Sequence, residues 1–141
     1  MSNSSIVCVD VSLVIRLVLK QNDAVQKLWE HWTSEGYRLV APTLLYYEVV
    51  NGLHRYQRAG VIKPNTGKEA LQTALALPIE LIGEADLHQR AGEISAKYNL
   101  AAAYDAHYVA LAEWIDIELW TADTRLVNTL KPHKLGWVKG I

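Results

Sequence analysis

The 141-residue sequence lacks the marks of secreted and membrane proteins. Its single cysteine, Cys8, cannot form an intrachain disulfide, which is typical of proteins from a reducing compartment. No apolar run approaches the roughly 18 residues that a membrane-spanning helix needs. The opening residues, Met1 to Ser5, lack the basic segment that begins a signal peptide. We therefore expect a cytoplasmic protein with no membrane segment.

The sequence also lacks a strong net charge and the short motifs of several enzyme classes. It has 14 basic and 15 acidic residues, so no general positive field attracts nucleic acid, and any nucleic-acid site must be local. The absence of Gly-x-Gly-x-x-Gly and Gly-x-x-x-x-Gly-Lys argues against nucleotide-dependent transfer. The serine hydrolase motif Gly-x-Ser-x-Gly is also absent. One cysteine and five scattered histidines with no His-x-x-x-His pair argue against a zinc site.

What is present is an alternation of strand-like and helix-like segments. The length and the 50% hydrophobic content predict one domain spanning residues 1–141. Apolar runs predict strands at Ile6–Asp10, Arg38–Ala41, Ile79–Ile82, Glu118–Thr121 and Gly136–Val138. Helical periodicity predicts helices from Ser12 to about Lys20, Asp23 to Glu35, Thr43 to about Gly60, Lys68 to Leu77, Glu84 to Tyr98, Asp105 to about Trp114 and Thr124 to Leu130. Ser12, Asp23, Thr43 and Asp105 are the predicted N-caps of their helices. This order predicts an α/β domain with a mainly parallel sheet covered by helices on both faces.

Four acidic residues lie in stretches that otherwise form a core, namely Asp10, Glu48, Asp105 and Asp123. An unpaired buried carboxylate costs several kcal/mol, and no Lys or Arg is close in sequence to the first three. Ligands of parallel sheets bind outside the carboxyl ends of the strands, where Asp10, Asp105 and Asp123 are expected to meet. If the four converge, the compensating group is a hard divalent cation, because carboxylate oxygens suit Mg²⁺ and Mn²⁺.

Simpler roles remain open for some of these residues. Asp10, Asp105 and Asp123 can each cap a helix, although Ser12 is available to cap the first one. Glu48 lies inside a helix and so cannot act as an N-cap. A solvated helix face remains an alternative for it, although it shares its face with leucine and valine side chains.

The basic stretch after Glu48 holds His54, Arg55, Arg58 and Lys63. It is either a solvated helix face or an edge that contacts phosphates. His107, two residues after Asp105, is predicted to point to a different face of its helix.

The four acids stand in motifs that resemble those of the PIN domain family. Asp10-Val-Ser12 after an apolar strand resembles the opening Asp-x-Ser/Thr motif, although Val stands where Thr or Ala is more usual. Glu48 in Leu-Leu-Tyr-Tyr-Glu-Val-Val resembles the acid of the central helix. Tyr104-Asp105-Ala-His-Tyr-Val-Ala-Leu and Thr121-Ala-Asp123-Thr-Arg-Leu resemble the third and fourth motifs. The likeness spans nearly the whole chain, and the size is that of VapC-type toxins of VapBC toxin–antitoxin pairs.

The resemblance implies a PIN-like three-layer α/β/α domain and a metal-dependent endoribonuclease. One or two Mg²⁺ or Mn²⁺ ions would activate water and stabilise charge on the phosphate. The site would consist of the metal ligands Asp10, Glu48, Asp105 and Asp123 and of Ser12 and Thr121 as hydroxyls that orient them. Arg55 and Arg58 of the basic stretch are candidate RNA contacts. Members are usually homodimers, neutralised by a small VapB-type antitoxin whose C-terminal segment enters the active-site groove.

Other functions fit parts of the sequence. A haloacid-dehalogenase-type phosphatase needs Asp-x-Asp, but Ser12 holds the second place. A receiver-like phospho-acceptor needs an acidic pair near the N-terminus and a late lysine. A catalytically silent PIN-fold module that binds RNA or protein also remains open. Because the chain has 12 Trp and Tyr residues and no Phe, we expect some aromatics at a subunit or antitoxin contact.

Overall fold

Five parallel strands form the central sheet of the chain, which the computed structural model describes from residue 5 to residue 141. The strands are β1 (Ile6–Val9), β2 (Arg38–Pro42), β3 (Ile79–Ile82), β4 (Glu118–Thr121) and β5 (Val138–Gly140). They lie in the order β3-β2-β1-β4-β5, and every neighbouring pair is parallel. The predicted parallel sheet is confirmed, with β5 at an edge but two residues later than predicted.

Helices cover both faces of the sheet in a three-layer α/β/α arrangement. They are α1 (Val11–Val18), α2 (Asp23–Ser34), α3 (Leu45–Arg58), α4 (Pro64–Leu75), α5 (Ala85–Lys97), α6 (Ala103–Ile115) and α7 (Thr124–Leu130). Helix α1 packs against α2, α3 and α4, whereas α5 packs against α6, which contacts β1, β2 and β4. Among residues 5–141, no helix has the length and apolar character needed to span a membrane.

Strand β1 is the buried centre of the sheet. Its residues Val7, Cys8 and Val9 are at most 2% exposed, as expected for a strand that has neighbours on both sides. The thiol of Cys8 lies 3.9 Å from the backbone carbonyl of Tyr108, and burial raises the pKa of this thiol well above its usual value. Cys8 is thus a core residue.

The order of the strands reverses beside β1. From β1 the chain passes to β2 and β3 on one side, and it later adds β4 and β5 on the other side. A reversal of this kind opens a crevice at the carboxyl ends of the two central strands. Since β1 ends at Val9 and β4 ends at Thr121, Asp10 and Asp123 both lie at this crevice.

The N-cap of α1 differs from the prediction. Asp10, and not Ser12, has the extended backbone of the N-cap, and its carboxylate accepts a hydrogen bond from the backbone N–H of Leu13 at 3.1 Å. Ser12 already lies inside the helix. The capping role of Asp10 is therefore real, and it coexists with the contacts described below.

Two further N-caps were predicted wrongly. Helix α2 is capped by Asn22, whose side chain accepts from two backbone N–H groups at 2.9 and 3.2 Å, and Asp23 is its first helical residue. Helix α3 begins after Leu44 without a side-chain cap, so Thr43 does not cap it. In α2 the position of the first turn decides between two neighbouring polar residues, whereas in α3 it places the apolar Leu44 at the N-cap position.

Helices α4 and α6 start earlier than predicted. Helix α4 begins at Pro64 rather than Lys68, because proline suits the first turn, where its missing N–H is not needed. Helix α6 begins at Ala103, so Asp105 is a residue of the first turn and not the N-cap.

Candidate active site

A hydrogen-bond network holds the carboxylate of Asp10 at the carboxyl end of β1. Asp10 is 4% exposed. Its Oδ1 accepts from the hydroxyl of Ser12 at 2.6 Å and from the N–H of Leu13 at 3.1 Å, and its Oδ2 accepts from the hydroxyl of Thr121. Burial raises the pKa of Asp10 to about 6; the three hydrogen bonds oppose this rise, and the charge of Asp123 adds to it. The carboxylate is therefore fixed in a place that disfavours its charge.

Ser12 and Thr121 connect this network to the loop after β4. The two hydroxyl oxygens are 3.3 Å apart, and both donate to Asp10. The Ser12 hydroxyl accepts from the N–H of Ala122 at 3.0 Å, and the Thr121 hydroxyl accepts from the N–H of Asp123 at 3.0 Å. The structure thus places both of these predicted hydroxyls against a candidate ligand.

Asp123 caps α7 and faces the same crevice. Its Oδ1 accepts from the N–H groups of Arg125 and Leu126 at 3.0 and 3.4 Å. Its Oδ2 lies 3.8 Å from the guanidinium of Arg125, whose side chain is 84% exposed. Capping therefore occupies one oxygen of Asp123 and leaves the other with one weak, solvated partner.

Glu48 lies in the first turn of α3, where Tyr108 of α6 holds it. The Tyr108 hydroxyl donates to Oε1 of Glu48 at 2.6 Å, and Tyr108 is 1% exposed. Burial raises the pKa of Glu48, the Tyr108 hydrogen bond opposes the rise, and the charges of Asp105 and Asp10 add to it. Burial and the adjacent Glu48 raise the pKa of Tyr108 far above its usual value, so the phenol keeps its proton and remains a donor.

Asp105 is half-buried in the first turn of α6. Within residues 5–141 no hydrogen-bond donor contacts its carboxylate, so the capping role considered for it is not observed. Burial and the charge of Asp123 raise the pKa of Asp105, and Arg125 opposes this rise.

The fold brings all four predicted acids into one cluster, which we call the carboxylate cluster (Asp10, Glu48, Asp105 and Asp123). Burial is the main cause of the raised pKa of Asp10, Glu48 and Asp105, and the charge of at least one other member adds to the rise in each case. In the described part of the chain, no Lys or Arg forms an ion pair with Asp10, Glu48 or Asp105. Arg125 pairs with Asp123 and acts on Asp105, so the negative charge of the cluster is compensated only in part.

The chemistry of this cluster fits a hard divalent cation. The donors are carboxylate oxygens alone, which suit Mg²⁺ and Mn²⁺ better than softer ions. Across residues 5–141, no three acidic, histidine or cysteine side chains form a ready ligand set. The carboxylates are thus electrostatic neighbours rather than a closed cage, and a cation would relieve the repulsion that they share.

A cleft of about 580 Å³ adjoins the carboxylate cluster between α1 and α3. Its lining includes Ser12, Arg16, Gly52, Arg55, Tyr56 and Asp123. The guanidinium of Arg16 donates to the backbone carbonyl of Ala122, so the loop that carries Asp123 also positions this cation. Arg55 lies in the cleft as the basic stretch suggested, whereas Arg58 is not among the lining residues.

Tyr108, Arg16 and Tyr56 were not predicted from the sequence as residues of this site. Tyr108 follows Asp105 by three residues and so shares its helix face, which was an available signal. Arg16 follows Ser12 by four residues on α1, which gave the same kind of signal. His107 contacts His88 and the carbonyl of Ala103 rather than the acids, in agreement with its predicted orientation.

Comparison with known proteins gives consistent results. The family model of the PIN domain matches residues 7–131. Ribonuclease VapC9 of Mycobacterium tuberculosis is 36% identical over 123 residues, which cover 87% of this chain and 90% of that protein. PAE2754 from Pyrobaculum aerophilum has a similar crystal structure, with a TM-score of 0.69 at 21% identity over 94% of this chain and 82% of that one. VapBC2 from Rickettsia felis, solved with a DNA fragment from its promoter, gives 0.68 at 14% identity, with 90% and 92% covered.

Proposed function

Because this chain belongs to the PIN domain family, we propose that it is a metal-dependent endoribonuclease and the toxin of a VapBC-type toxin–antitoxin pair. The observation that carries the proposal is the buried Asp10, which is oriented by two hydroxyls and has no cationic partner in the described residues. The PIN-family relative VapC9 is named a ribonuclease, and one structural neighbour is a VapBC protein pair.

Asp10, Glu48, Asp105 and Asp123 would hold Mg²⁺ or Mn²⁺. The bound cation would lower the pKa of water and stabilise charge on the phosphate. The chain itself supplies the orientation: Ser12 and Thr121 fix both oxygens of Asp10, and Tyr108 fixes Glu48. Such supporting contacts commonly decide how well a carboxylate serves as a ligand.

RNA would lie along the cleft between α1 and α3. Arg16 and Arg55 offer two cations to phosphates, and Tyr56 offers an aromatic ring beside them. This local site suits a protein whose net charge is only −1. We retain Arg58, at the end of α3, as a weaker candidate for a phosphate contact outside the cleft.

We further propose a homodimer in the cytoplasm, with the antitoxin as its second partner. Exposed apolar side chains of Tyr47, Val50 and Leu81, which are 80%, 48% and 40% exposed, support a subunit contact at α3 and β3. Sedimentation at tens of micromolar protein tests the dimer, and a monomer at that concentration contradicts it.

RNA cleavage by the purified chain tests the proposed activity. We expect hydrolysis of single-stranded or looped RNA with Mn²⁺ or Mg²⁺, and none after addition of EDTA. Ca²⁺ should support binding better than turnover, because its larger and looser coordination shell positions water poorly. Glu48→Gln should lower the rate by orders of magnitude, whereas Lys27→Ala, on an exposed face of α2, should not change it. RNA binding without cleavage would indicate the catalytically silent module instead.

A further inference from the structure

Two histidines meet on the surface of the α5/α6 pair, and neither belongs to the carboxylate cluster. His88 of α5 and His107 of α6 face each other with their ring nitrogens Nδ1 and Nε2 2.9 Å apart, and their ring centroids are 5.0 Å apart at 69°. His88 is exposed and His107 is half-buried. They are 19 residues apart in the chain, so no short sequence motif announces the pair.

The hydrogen bonds of His107 fix the arrangement of protons in the neutral pair. Nδ1 of His107 lies 2.7 Å from the backbone carbonyl of Ala103, which can only accept, so this nitrogen carries the proton. Nε2 of His107 therefore holds a lone pair and accepts from Nδ1–H of His88. A backbone carbonyl that receives the second ring N–H is the partner that metal-ligating histidines usually have.

We propose that His88 and His107 form a binding site for a transition-metal ion of the Zn²⁺, Ni²⁺ and Cu²⁺ class. Imidazole nitrogens suit these ions, whereas Mg²⁺ prefers oxygen, so the pair selects a different class of metal from the carboxylate cluster. Two nitrogens bound to one tetrahedral zinc at about 2.0–2.1 Å lie about 3.3 Å apart. The observed 2.9 Å must lengthen by about 0.4 Å, and the rings must turn so that both nitrogens point at one shared ion, a movement that the exposed His88 ring can supply by rotating.

Metal binding requires His88 to change its tautomer, with no net loss of protons from the pair. Nδ1 of His88 loses its proton to water, and Nε2 of the same ring takes one up, which frees the Nδ1 lone pair for the metal. Because His88 is exposed to solvent, water can carry out this exchange of protons. Within residues 5–141 no third acid, histidine or cysteine completes a set, so water fills the remaining positions of the ion.

The two helices that carry the pair are fixed relative to each other. The hydroxyl of Tyr98, directly after α5, donates to Glu113 of α6 at 3.3 Å, and the guanidinium of Arg90 lies 5.0 Å from the ring centroid of Trp114. A site built on packed helices is preorganised, because little rearrangement is needed on binding. A bound ion would cross-link α5 to α6 near the turn that holds Asp105 and would therefore stabilise the fold.

Titration of NiCl₂ into the full chain without an affinity tag tests the site, with calorimetry as the readout. We expect a binding step in the wild type that His88→Gln and His107→Gln each weaken at least tenfold and that is separate from Ni²⁺ binding at the carboxylate cluster. His54→Gln removes another exposed histidine and should leave the step unchanged, as should Asp10→Asn. In proton NMR spectra, Ni²⁺ should broaden the ring signals of His88 and His107 at lower concentrations than those of His54.

Unchanged nickel binding in both His88→Gln and His107→Gln would overturn the proposal, provided that circular dichroism shows both variants folded. Loss of the step in Asp10→Asn with retention in the histidine variants would also overturn it, because the carboxylate cluster would then be the site. Neither result bears on RNA hydrolysis, which is measured with Mg²⁺ or Mn²⁺.

Discussion

At the scale of single residues, the stability of the fold and the proposed activity make opposite demands on Asp10. The side chain caps α1 and accepts bonds from two hydroxyls, yet burial and Asp123 raise its pKa to about 6. A residue that was selected for capping alone would not need to be buried beside other acids. Perturbed carboxylates of this kind are typical of functional sites, where local stability is lower than the fold could otherwise reach.

This pKa predicts how the stability of the metal-free protein depends on pH. Because the pKa of Asp10 is higher in the folded state than the ordinary value of 3.8, the folded protein binds the proton more tightly. Asp10 therefore favours folding at low pH, and this contribution is lost as the pH rises from about 4 through about 6. The loss is on the order of 3 kcal/mol at most, from about 1.4 kcal/mol for each unit of pKa.

Urea denaturation in EDTA between pH 4 and pH 7.5 measures this effect. Asp10→Asn has no titrating group at position 10, so its free energy of unfolding should fall less than that of the wild type over this range. At pH 7.5 the variant should be as stable as the wild type or more stable. Parallel pH curves for the two proteins would show that Asp10 keeps an ordinary pKa.

Tyr108→Phe should weaken the site through Glu48. The change removes the donor at 2.6 Å from Oε1 and leaves the ring in place, and a hydrogen bond to a charged group contributes about 1.5–3 kcal/mol. We expect lower stability and a higher Mn²⁺ concentration for half-maximal RNA cleavage.

Tyr46→Phe is the matched control for this change. It also removes a hydroxyl donor, whose acceptor is the backbone carbonyl of Ala74 at 2.8 Å, but it does not touch a carboxylate. Its Mn²⁺ requirement should equal that of the wild type. An equal shift in both variants would mean that Tyr108 acts only through general stability.

At the scale of helices and strands, the sequence predicts the elements well and their first turns poorly. Apolar runs and helical periodicity identify β1, β4 and α7 almost to the residue, because burial acts on the whole segment. N-caps depend on which of several adjacent polar residues leaves the helix, as Asp10 and Asn22 show against Ser12 and Asp23. Tertiary packing decides which residue becomes the N-cap, and the local sequence pattern carries no information about that packing.

The difference between local sequence patterns and tertiary packing also explains which site residues could be predicted. Asp10 and Glu48 are conspicuous because carboxylates are costly among apolar neighbours. The bond from Tyr108 to Glu48 joins residues 60 positions apart, and Arg16 reaches a carbonyl 106 positions away. Contacts of this kind exist only after the sheet has placed α1, α3 and α6 around its crevice.

Removal of the N-cap of α2 should lower the stability of the protein without changing its rate of RNA cleavage. Asn22→Ala should lower the free energy of unfolding by about 1 kcal/mol, the usual value for a lost N-cap. Since no residue of α2 lines the cleft or belongs to the carboxylate cluster, the rate of RNA cleavage at 25 °C should not change. A parallel fall in rate would show that activity simply follows stability in this protein.

At the scale of the whole molecule, metal binding should appear as a gain in thermal stability. The only partly compensated negative charge of the carboxylate cluster destabilises the metal-free fold, and any ion that binds only the folded state stabilises it by mass action. Millimolar Mn²⁺ should raise the melting temperature of the wild type by an amount that grows with its concentration. Asp105→Asn should melt at or above the wild type in EDTA and lose most of the Mn²⁺ response. Equal responses in both proteins would exclude a metal site shared by these acids.

The rate of RNA cleavage by Asp10→Asn under single-turnover conditions at saturating Mn²⁺ is the most direct test of the carboxylate cluster as the catalytic centre. The substitution removes one charge with little change of shape, so circular dichroism should remain native while the rate falls at least about 100-fold, the scale expected for loss of a catalytic group. Full activity in Asp10→Asn, or cleavage that survives EDTA in the wild type, would contradict the account.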